Sequence, residues 1–115
     1  LFRSPVYLEP GEAHTFGTGL CAEIPSGYEL QVRSRSGLAI KQGVVVIQGV
    51  GTIDSDYRGE IHVKLINTDR QPHVINPGDR IAQLVLAEVT PIKFTEVHEL
   101  SETERGQKGF GSTGR

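Results

Sequence analysis

An alternation of apolar and polar residues with a period of two is the feature that most constrains the fold of this chain. Residues 29–33 and 61–65 each alternate in this way over five positions, which is typical of half-buried β-strands. Residues 44–47 and 81–86 are more continuously apolar and contain several β-branched residues, which predicts more deeply buried strands. The pattern therefore indicates a fold built from short strands.

Turn signals separate these strands, and they contain proline, glycine, asparagine and aspartate. They lie at residues 10–11, 25–27, 67–69 and 77–79. Short strands at this spacing predict an all-β barrel or sandwich, with a helix of one or two turns only at residues 36–41. The 115 residues suffice for a single core, which must depend on Val, Ile and Leu because Trp and Met are absent.

Composition excludes several classes of function. The net charge of −2 argues against a nucleic acid as the main partner. The single cysteine, Cys21, excludes an intrachain disulfide and suits a reducing compartment. The four histidines lack the spacing of a zinc site. No apolar run reaches membrane-spanning length and no secretory signal precedes the domain. We therefore expect a cytoplasmic or otherwise intracellular protein, of cellular or viral origin, without a membrane partner.

The apolar pattern stops near Glu99, which divides the chain into two parts. We expect a β-barrel domain in residues 1–98 and a flexible glycine-rich arm in residues 99–115. Fully extended, the arm could reach roughly 50 Å, whereas a compact chain of this length has a radius of gyration near ~13 Å. The arm could therefore cross onto a neighbouring subunit. A disordered tail is the alternative.

The end of the arm carries groups that suit a nucleotide. Residues 105–115 contain four glycines, which disfavour a helix or strand, together with Arg105, Lys108, Phe110 and two hydroxyls. Cationic groups and hydroxyls can bind phosphates, and the aromatic ring can stack on a flat base. This composition indicates a segment that closes over a bound nucleotide.

Residues 51–60 form the strongest internal motif, with two carboxylates and a tyrosine between two predicted strands. Asp54 follows Ile53 directly, so it should lie where a strand gives way to a turn. A carboxylate there can hold and deprotonate a water molecule. The alternative is a structural turn in which the aspartates cap their own backbone.

Two other segments are candidates for binding. Residues 33–39 combine arginine, serine and glycine at the end of a strand, as phosphate sites do, although they do not form a Walker A loop. A solvated basic strand end is the alternative. In residues 77–85, Gln83 lies in an apolar strand and needs hydrogen-bond partners if it points inward, while Asp79 and Arg80 are expected to be structural.

Taken together, these segments resemble the trimeric dUTPase family. The family's motifs run in one order, and four of the five are found here in that order between residues 33 and 114: Arg-Ser-x-x, Gly-x-Ile-Asp-x-x-Tyr, Pro-Gly-x-Arg-x-Ala-Gln, and Arg-Gly followed by Gly-Phe-Gly-Ser-Thr-Gly. The resemblance implies a jelly-roll-like β-barrel assembled as a homotrimer. It also implies Mg²⁺-dependent hydrolysis of dUTP to dUMP and pyrophosphate, which limits uracil in DNA and supplies dUMP for dTMP synthesis.

The resemblance also implies roles for particular residues. Asp54 is the expected general base, and the metal is carried by the triphosphate. The expected substrate-binding residues are Arg35, Ser36, Gly37, Gln48, Gly51, Thr52, Ile53, Tyr57, Gln83, Arg105, Phe110, Gly111, Ser112 and Thr113. Tyr57 is expected to pack against the deoxyribose and Phe110 to stack on uracil, while residues 48–53 read the base largely through backbone groups.

The sequence departs from the family pattern at two places. The first motif is not present, and Leu1 would be its last residue, so we expect its aspartate just upstream. Gln48 stands where many members have asparagine, so the amide lies one methylene further out. The alternatives are a dCTP deaminase-like enzyme, a catalytically silent nucleotide-binding protein and a capsid-type barrel. The sequence of residues 54–57 and the glycine-rich tail favour the hydrolase.

Overall fold

A computed structural model of the chain describes residues 2–111, which are mainly β-structured, as predicted. The elements in chain order are β1 (Val6–Leu8), β2 (Ala13–Gly17), β3 (Tyr28–Arg33), α1 (Ser36–Gln42), β4 (Val44–Val46), β5 (Val50–Ile53), β6 (His62–Asn67), β7 (His73–Ile75) and β8 (Gln83–Glu88). The predicted short helix is confirmed as α1. It ends at Gly43, whose φ of 65° is in the left-handed region that glycine readily adopts.

The described strands form three separate antiparallel sheets. Strand β1 pairs with β7, strand β6 lies between β2 and β4, and strand β3 lies between β5 and β8. Within residues 2–111 the three sheets do not join into one closed barrel. The observed fold is therefore mainly β, with sheets that enclose a common core.

The core lies between these sheets and follows the alternation seen in the sequence. Its buried members are Leu8, Phe16, Val32, Val44, Val46, Val63, Leu65 and Ile75. Aliphatic side chains dominate, as expected, but the largest fully buried side chain is Phe16. The Phe2 ring packs edge-on against Phe16, with 4.9 Å between the ring centroids.

One buried polar side chain connects distant parts of this core. Asn67 is fully buried at the end of β6. Its Nδ2 donates to the carbonyl oxygens of Leu8 at 2.9 Å and of Gln71 at 2.8 Å, and its Oδ1 accepts from the Asp69 N–H at 2.8 Å. All the polar atoms of this amide are thus engaged, as burial requires.

The prediction of a deeply buried strand at residues 81–86 was wrong. The strand begins later, at Gln83, and Leu84 and Leu86 are 43% and 55% exposed. Among the described strands β8 pairs only with β3, at an edge of its sheet, and residues 2–111 leave part of its apolar surface uncovered. A continuous apolar run cannot distinguish burial within one chain from burial against a second chain.

After β8 the chain continues to residue 111 without a further helix or strand. Six large apolar side chains in this segment are exposed: Val89, Ile92, Phe94, Val97, Leu100 and Phe110. The radius of gyration is 19.1 Å, well above the ~13 Å of a compact chain of this length. The segment therefore extends away from the core. Among the described residues, no helix has the length and apolar character that crossing a bilayer requires.

Candidate functional site

The turn after β5 forms one wall of a small surface cavity. Strand β5 pairs with β3 up to Ile53, and Asp54 is the first residue beyond it. The cavity has a volume of about 220 Å³ and is lined by Thr52, Ile53, Asp54, Tyr57, Glu60, Ile61 and His62. The structure therefore brings together four of the predicted site residues, because they are close along the chain.

The turn itself is closed by backbone groups and an arginine. The Tyr57 N–H donates to the Asp54 carbonyl at 3.1 Å, and Arg58 Nη1 donates to the Ser55 carbonyl at 2.7 Å. Within residues 2–111, neither the Asp54 nor the Asp56 carboxylate accepts a backbone hydrogen bond. The alternative of a self-capping turn is therefore not what the structure has, and the Asp54 carboxylate is exposed at the cavity.

Tyr57 lies across this cavity and is held by its hydroxyl. Its Oη donates to the Glu60 carbonyl at 2.7 Å, and 43% of the residue is exposed. One side of the ring is therefore accessible to a ligand, while the hydroxyl fixes the ring's position. The ring also lies directly beside Gly59, which has no side chain to displace it.

Glu60 and His62 line the same cavity, and the sequence analysis did not assign them a role. Glu60 Oε2 accepts from the Gly19 N–H at 3.2 Å and lies 3.8 Å from His62 Nε2. The period of two was the available signal, because it places residues 60 and 62 on the same face of the chain where β6 begins.

Two predicted residues lie before this turn: Gln48 in the connection between β4 and β5, and Gly51 within β5. The Gly49 N–H donates to the Val46 carbonyl at 2.9 Å, and Gly49 has a φ of 79°. A Cβ on Gly51 would lie 3.7 Å from Gln48 Nε2 and 3.3 Å from the Val32 Cβ. The amide of Gln48 is thus close to Gly51, a buried residue of β5.

The arginine motif lies in a different part of the surface. Ser34 Oγ accepts from the Val46 N–H at 2.9 Å and fixes the end of β3, while Ser36 and Gly37 begin helix α1 and are exposed. Arg35 is half-buried and lines a second cavity of about 380 Å³. The other lining residues are Thr18, Leu20, Ile61, Val63, Asp79, Arg80, Ile81, Ala82 and Leu84.

Two features of this second region differ from, or add to, the sequence analysis. Gln83 pairs with Arg33 at the start of β8 and is exposed, so it does not need a partner in the core. Asp79 and Arg80, which were expected to be structural, line the second cavity with Arg35. Asp79 also stabilises the turn that contains it, because its carboxylate accepts a hydrogen bond from the Asn76 N–H at 2.8 Å.

The predicted residues of the arm do not reach the first cavity in this chain. Arg105 Nε donates to the Lys108 carbonyl at 2.8 Å, Phe110 is fully exposed, and Gly111 has a φ of 76°. Ser112 and Thr113 lie outside the described residues. Among residues 2–111, none from the arm lines the cavity beside Asp54.

These features define a mainly β-structured, ligand-binding class of protein whose surface site contains an exposed carboxylate and an aromatic ring. Comparison with known proteins makes the assignment specific. The dUTPase family model matches residues 2–114. The chain therefore belongs to the dUTPase family.

Curated relatives agree over most of the chain. A deoxyuridine 5'-triphosphate nucleotidohydrolase of Beijerinckia indica is 60% identical over 107 residues, which cover 93% of this chain and 67% of that protein. The corresponding protein of Desulfotalea psychrophila is 58% identical over 107 residues, covering 93% of this chain and 71% of its own length.

Solved structures have the same fold. A mutant dUTPase of Staphylococcus bacteriophage 80alpha, solved with dUpNHpp, has a TM-score of 0.82 at 30% identity, covering 97% of this chain and 82% of that chain. A mutant dUTPase of phage phi11, described with a coordinated structural Mg(II) ion, has a TM-score of 0.73 at 28% identity and covers 84% and 78%. The mainly β architecture is thus shared with proteins of this family.

Proposed function

We propose that this chain hydrolyses dUTP to dUMP and pyrophosphate. Membership of the dUTPase family supports the reaction, and one observation in the structure supports the location of the site. That observation is the exposed Asp54 carboxylate, without a backbone partner in residues 2–111, at a cavity that Thr52, Ile53 and Tyr57 also line.

Asp54 acts as the general base in this proposal. Its carboxylate takes a proton from a water molecule, whose oxygen forms a bond to the α-phosphorus while the bond from that phosphorus to the bridging oxygen of the β-phosphate breaks. Pyrophosphate leaves, and the proton stays on Asp54 until solvent removes it. A positioned carboxylate of this kind accelerates proton transfer by roughly 10²–10⁴-fold.

The base and the sugar are recognised by neighbouring groups. The backbone of residues 48–53 reads uracil, with the Gln48 amide close to Gly51. A site built from paired donors and acceptors rejects cytosine, because mismatched polar groups would be left unpaired. The Tyr57 ring packs against the deoxyribose where a ribose would carry its 2′-hydroxyl, and so selects against ribonucleotides.

The phosphates need cations that the Asp54 cavity does not supply. Among the described residues, its lining contains Asp54, Glu60 and His62 but no arginine or lysine. Arg35, Ser36, Gly37 and Gln83 contact the phosphates in this proposal, and Arg105 binds the terminal one from the arm. Arginine suits this role because its planar fork matches phosphate oxygens.

Mg²⁺ enters this site with the substrate. No group of three or more His, Cys, Asp or Glu side chains in residues 2–111 converges as a metal site, so these residues do not fit a cation held by protein groups alone. Magnesium is commonly bound by substrate phosphates with one or two carboxylates and several waters. Bound in this way, Mg²⁺ would neutralise phosphate charge during hydrolysis.

We propose that the active unit is a homotrimer with a jelly-roll-like barrel in each subunit. The cavity of about 220 Å³ is below the ~300–1,000 Å³ of small-molecule sites, and the arginines lie elsewhere. The exposed apolar residues of β8 and of residues 89–100 offer a surface for neighbouring subunits. The arm of residues 99–115 then closes the site of a neighbour, with Phe110 on uracil and residues 111–113 at the phosphates.

Pyrophosphate release from dUTP, dTTP, UTP and dCTP with Mg²⁺ tests the reaction. We expect turnover of dUTP, and a loss of about 100-fold or more in kcat for Asp54→Asn with dUTP binding retained. Asp56→Asn is the matched control, because Asp56 is in the same turn but does not line the cavity. Retained turnover in Asp54→Asn would exclude Asp54 as the base, and ammonia release from dCTP would contradict the reaction.

A further inference from the structure

We infer that Gly59 is a positioning residue for Tyr57 and thereby sets the discrimination between deoxyribose and ribose. This inference rests on the proposed function, because it takes Tyr57 to be the group that packs against the sugar. The observation behind it is the closeness of Gly59 to the Tyr57 ring. A Cβ on Gly59 would lie 2.5 Å from Tyr57 Oη and 2.7 Å from Cζ.

Any side chain at position 59 would therefore displace the ring. Carbon atoms in optimal contact are about 3.5–4.0 Å apart, so the Tyr57 ring would have to move by about 1 Å or more to accommodate one methyl group. Since Tyr57 is 43% exposed, the ring can swing towards solvent. The cost of an alanine here falls on the position of the ring and not on the core.

The backbone conformation at position 59 does not explain why this residue is a glycine. The φ of Gly59 lies outside the left-handed region, in contrast to Gly11, Gly27 and Gly78, where positive φ values accompany turns. An alanine is compatible with such a backbone. The close approach of the Tyr57 ring is therefore the feature of this structure that favours glycine at position 59.

Glu60 fixes the other end of this arrangement. Its carbonyl accepts from Tyr57 Oη at 2.7 Å, while its carboxylate accepts from the Gly19 N–H at 3.2 Å. A Cβ on Gly17 would lie 2.5 Å from Glu60 Oε2, so strand β2 also leaves room for this carboxylate. The ring thus lies between a glycine without a side chain and the carbonyl of Glu60, whose carboxylate is hydrogen-bonded to Gly19, two residues beyond the end of β2.

The test compares kcat/KM for dUTP and UTP in the full chain and in three variants: Gly59→Ala, Tyr57→Ala and the double variant. We expect Gly59→Ala to lower the ratio of dUTP to UTP efficiency by about tenfold or more, because misplacement by about 1 Å can cost up to 100-fold in rate. Its thermal midpoint should change little, since the restriction of the unfolded chain by alanine offsets the loss of one exposed hydrogen bond from Tyr57 to Glu60.

The double variant separates positioning from a general structural effect. If Gly59 acts through the Tyr57 ring, adding Gly59→Ala to Tyr57→Ala should leave the ratio within about twofold, because coupled residues give non-additive effects. A further loss as large as in the wild-type background would overturn the inference. An unchanged ratio in Gly59→Ala alone would do the same.

Tyr57→Phe provides a variant that adds no volume. It removes the donor to the Glu60 carbonyl and should lower the dUTP preference about threefold, the equivalent of one modest hydrogen bond. Should Gly59→Ala fail to fold, Gly59→Ala is combined with Tyr57→Phe, which removes the atom nearest to the added Cβ; a ratio equal to that of Tyr57→Phe alone overturns the inference. Wild-type protein that releases no pyrophosphate from dUTP contradicts the proposed function, whereas an active wild type with an insensitive ratio contradicts only the role of Gly59.

Discussion

The buried amide of Asn67 gives the sharpest prediction about stability. In Asn67→Ala, the Leu8 carbonyl loses its 2.9 Å donor in a fully buried setting, and the Gln71 carbonyl and Asp69 N–H lose partners in partly buried ones. A buried polar group without a partner costs about 1–3 kcal/mol. The two partly buried groups can regain water, so each should cost only about 0.5–1 kcal/mol.

The expected loss in the free energy of unfolding is therefore about 2–5 kcal/mol. This is a large fraction of the roughly 5–15 kcal/mol of a typical domain. Urea unfolding followed by circular dichroism measures the loss. All proteins must be compared at one chain concentration, because assembly stabilises the folded state by mass action.

Asn76→Ala is the matched control for this experiment. Asn76 is exposed, and its backbone N–H and carbonyl are both hydrogen-bonded to Asp79, while its side chain has no hydrogen bond among the described residues. The same chemical change there should alter the free energy of unfolding by no more than about 0.5 kcal/mol. A loss below about 1 kcal/mol in Asn67→Ala would refute the reasoning, because it would mean that the orphaned groups find other partners.

Three further predictions concern pH, assembly and the arm. A hydrogen bond from His73 at 2.7 Å holds the pKa of Asp69 below its usual 3.8. The ionised carboxylate therefore stabilises the fold above pH 3.8, and this stabilisation is lost as the pH falls through the lowered pKa. The urea midpoints of wild type and Asp69→Asn should thus differ near neutral pH and converge in acid. Leu86→Glu should lower the sedimentation coefficient by disrupting the proposed trimer, and an unchanged value would exclude β8 from the interface. Deleting residues 105–115 should leave the assembly intact and reduce kcat/KM for dUTP at least about tenfold; unchanged kinetics would exclude arm closure.

The sequence predicts best those features that depend on neighbours along the chain. The helix at residues 36–42 and the turns at Gly27 and Gly78 follow from local signals, and the structure contains them. The cavity beside Asp54 is similar, since a single turn supplies Asp54 and Tyr57. Local patterns suffice there because every group is placed by one strand and the turn after it.

Features that depend on distant partners could not be predicted in this way. The sequence predicted a turn beginning at Asn67. In the structure its amide is buried and donates to the carbonyl of Leu8, 59 positions away. Leu86 was predicted to be buried, but it lies on an edge strand that residues 2–111 do not cover. Both outcomes depend on which elements pack against each other. The alternation of apolar and polar residues along one strand does not contain this information.

Stability and the proposed activity depend on different residues of this chain. The core around Phe16 and Asn67 is packed and fully hydrogen-bonded. Asp54 and Phe110, in contrast, are exposed. Exposed apolar side chains and polar groups without partners are expected where a ligand or a second subunit binds. Substitutions in the core should therefore lower the free energy of unfolding without changing nucleotide preference. Substitutions at the site should change nucleotide preference and leave the free energy of unfolding nearly unchanged.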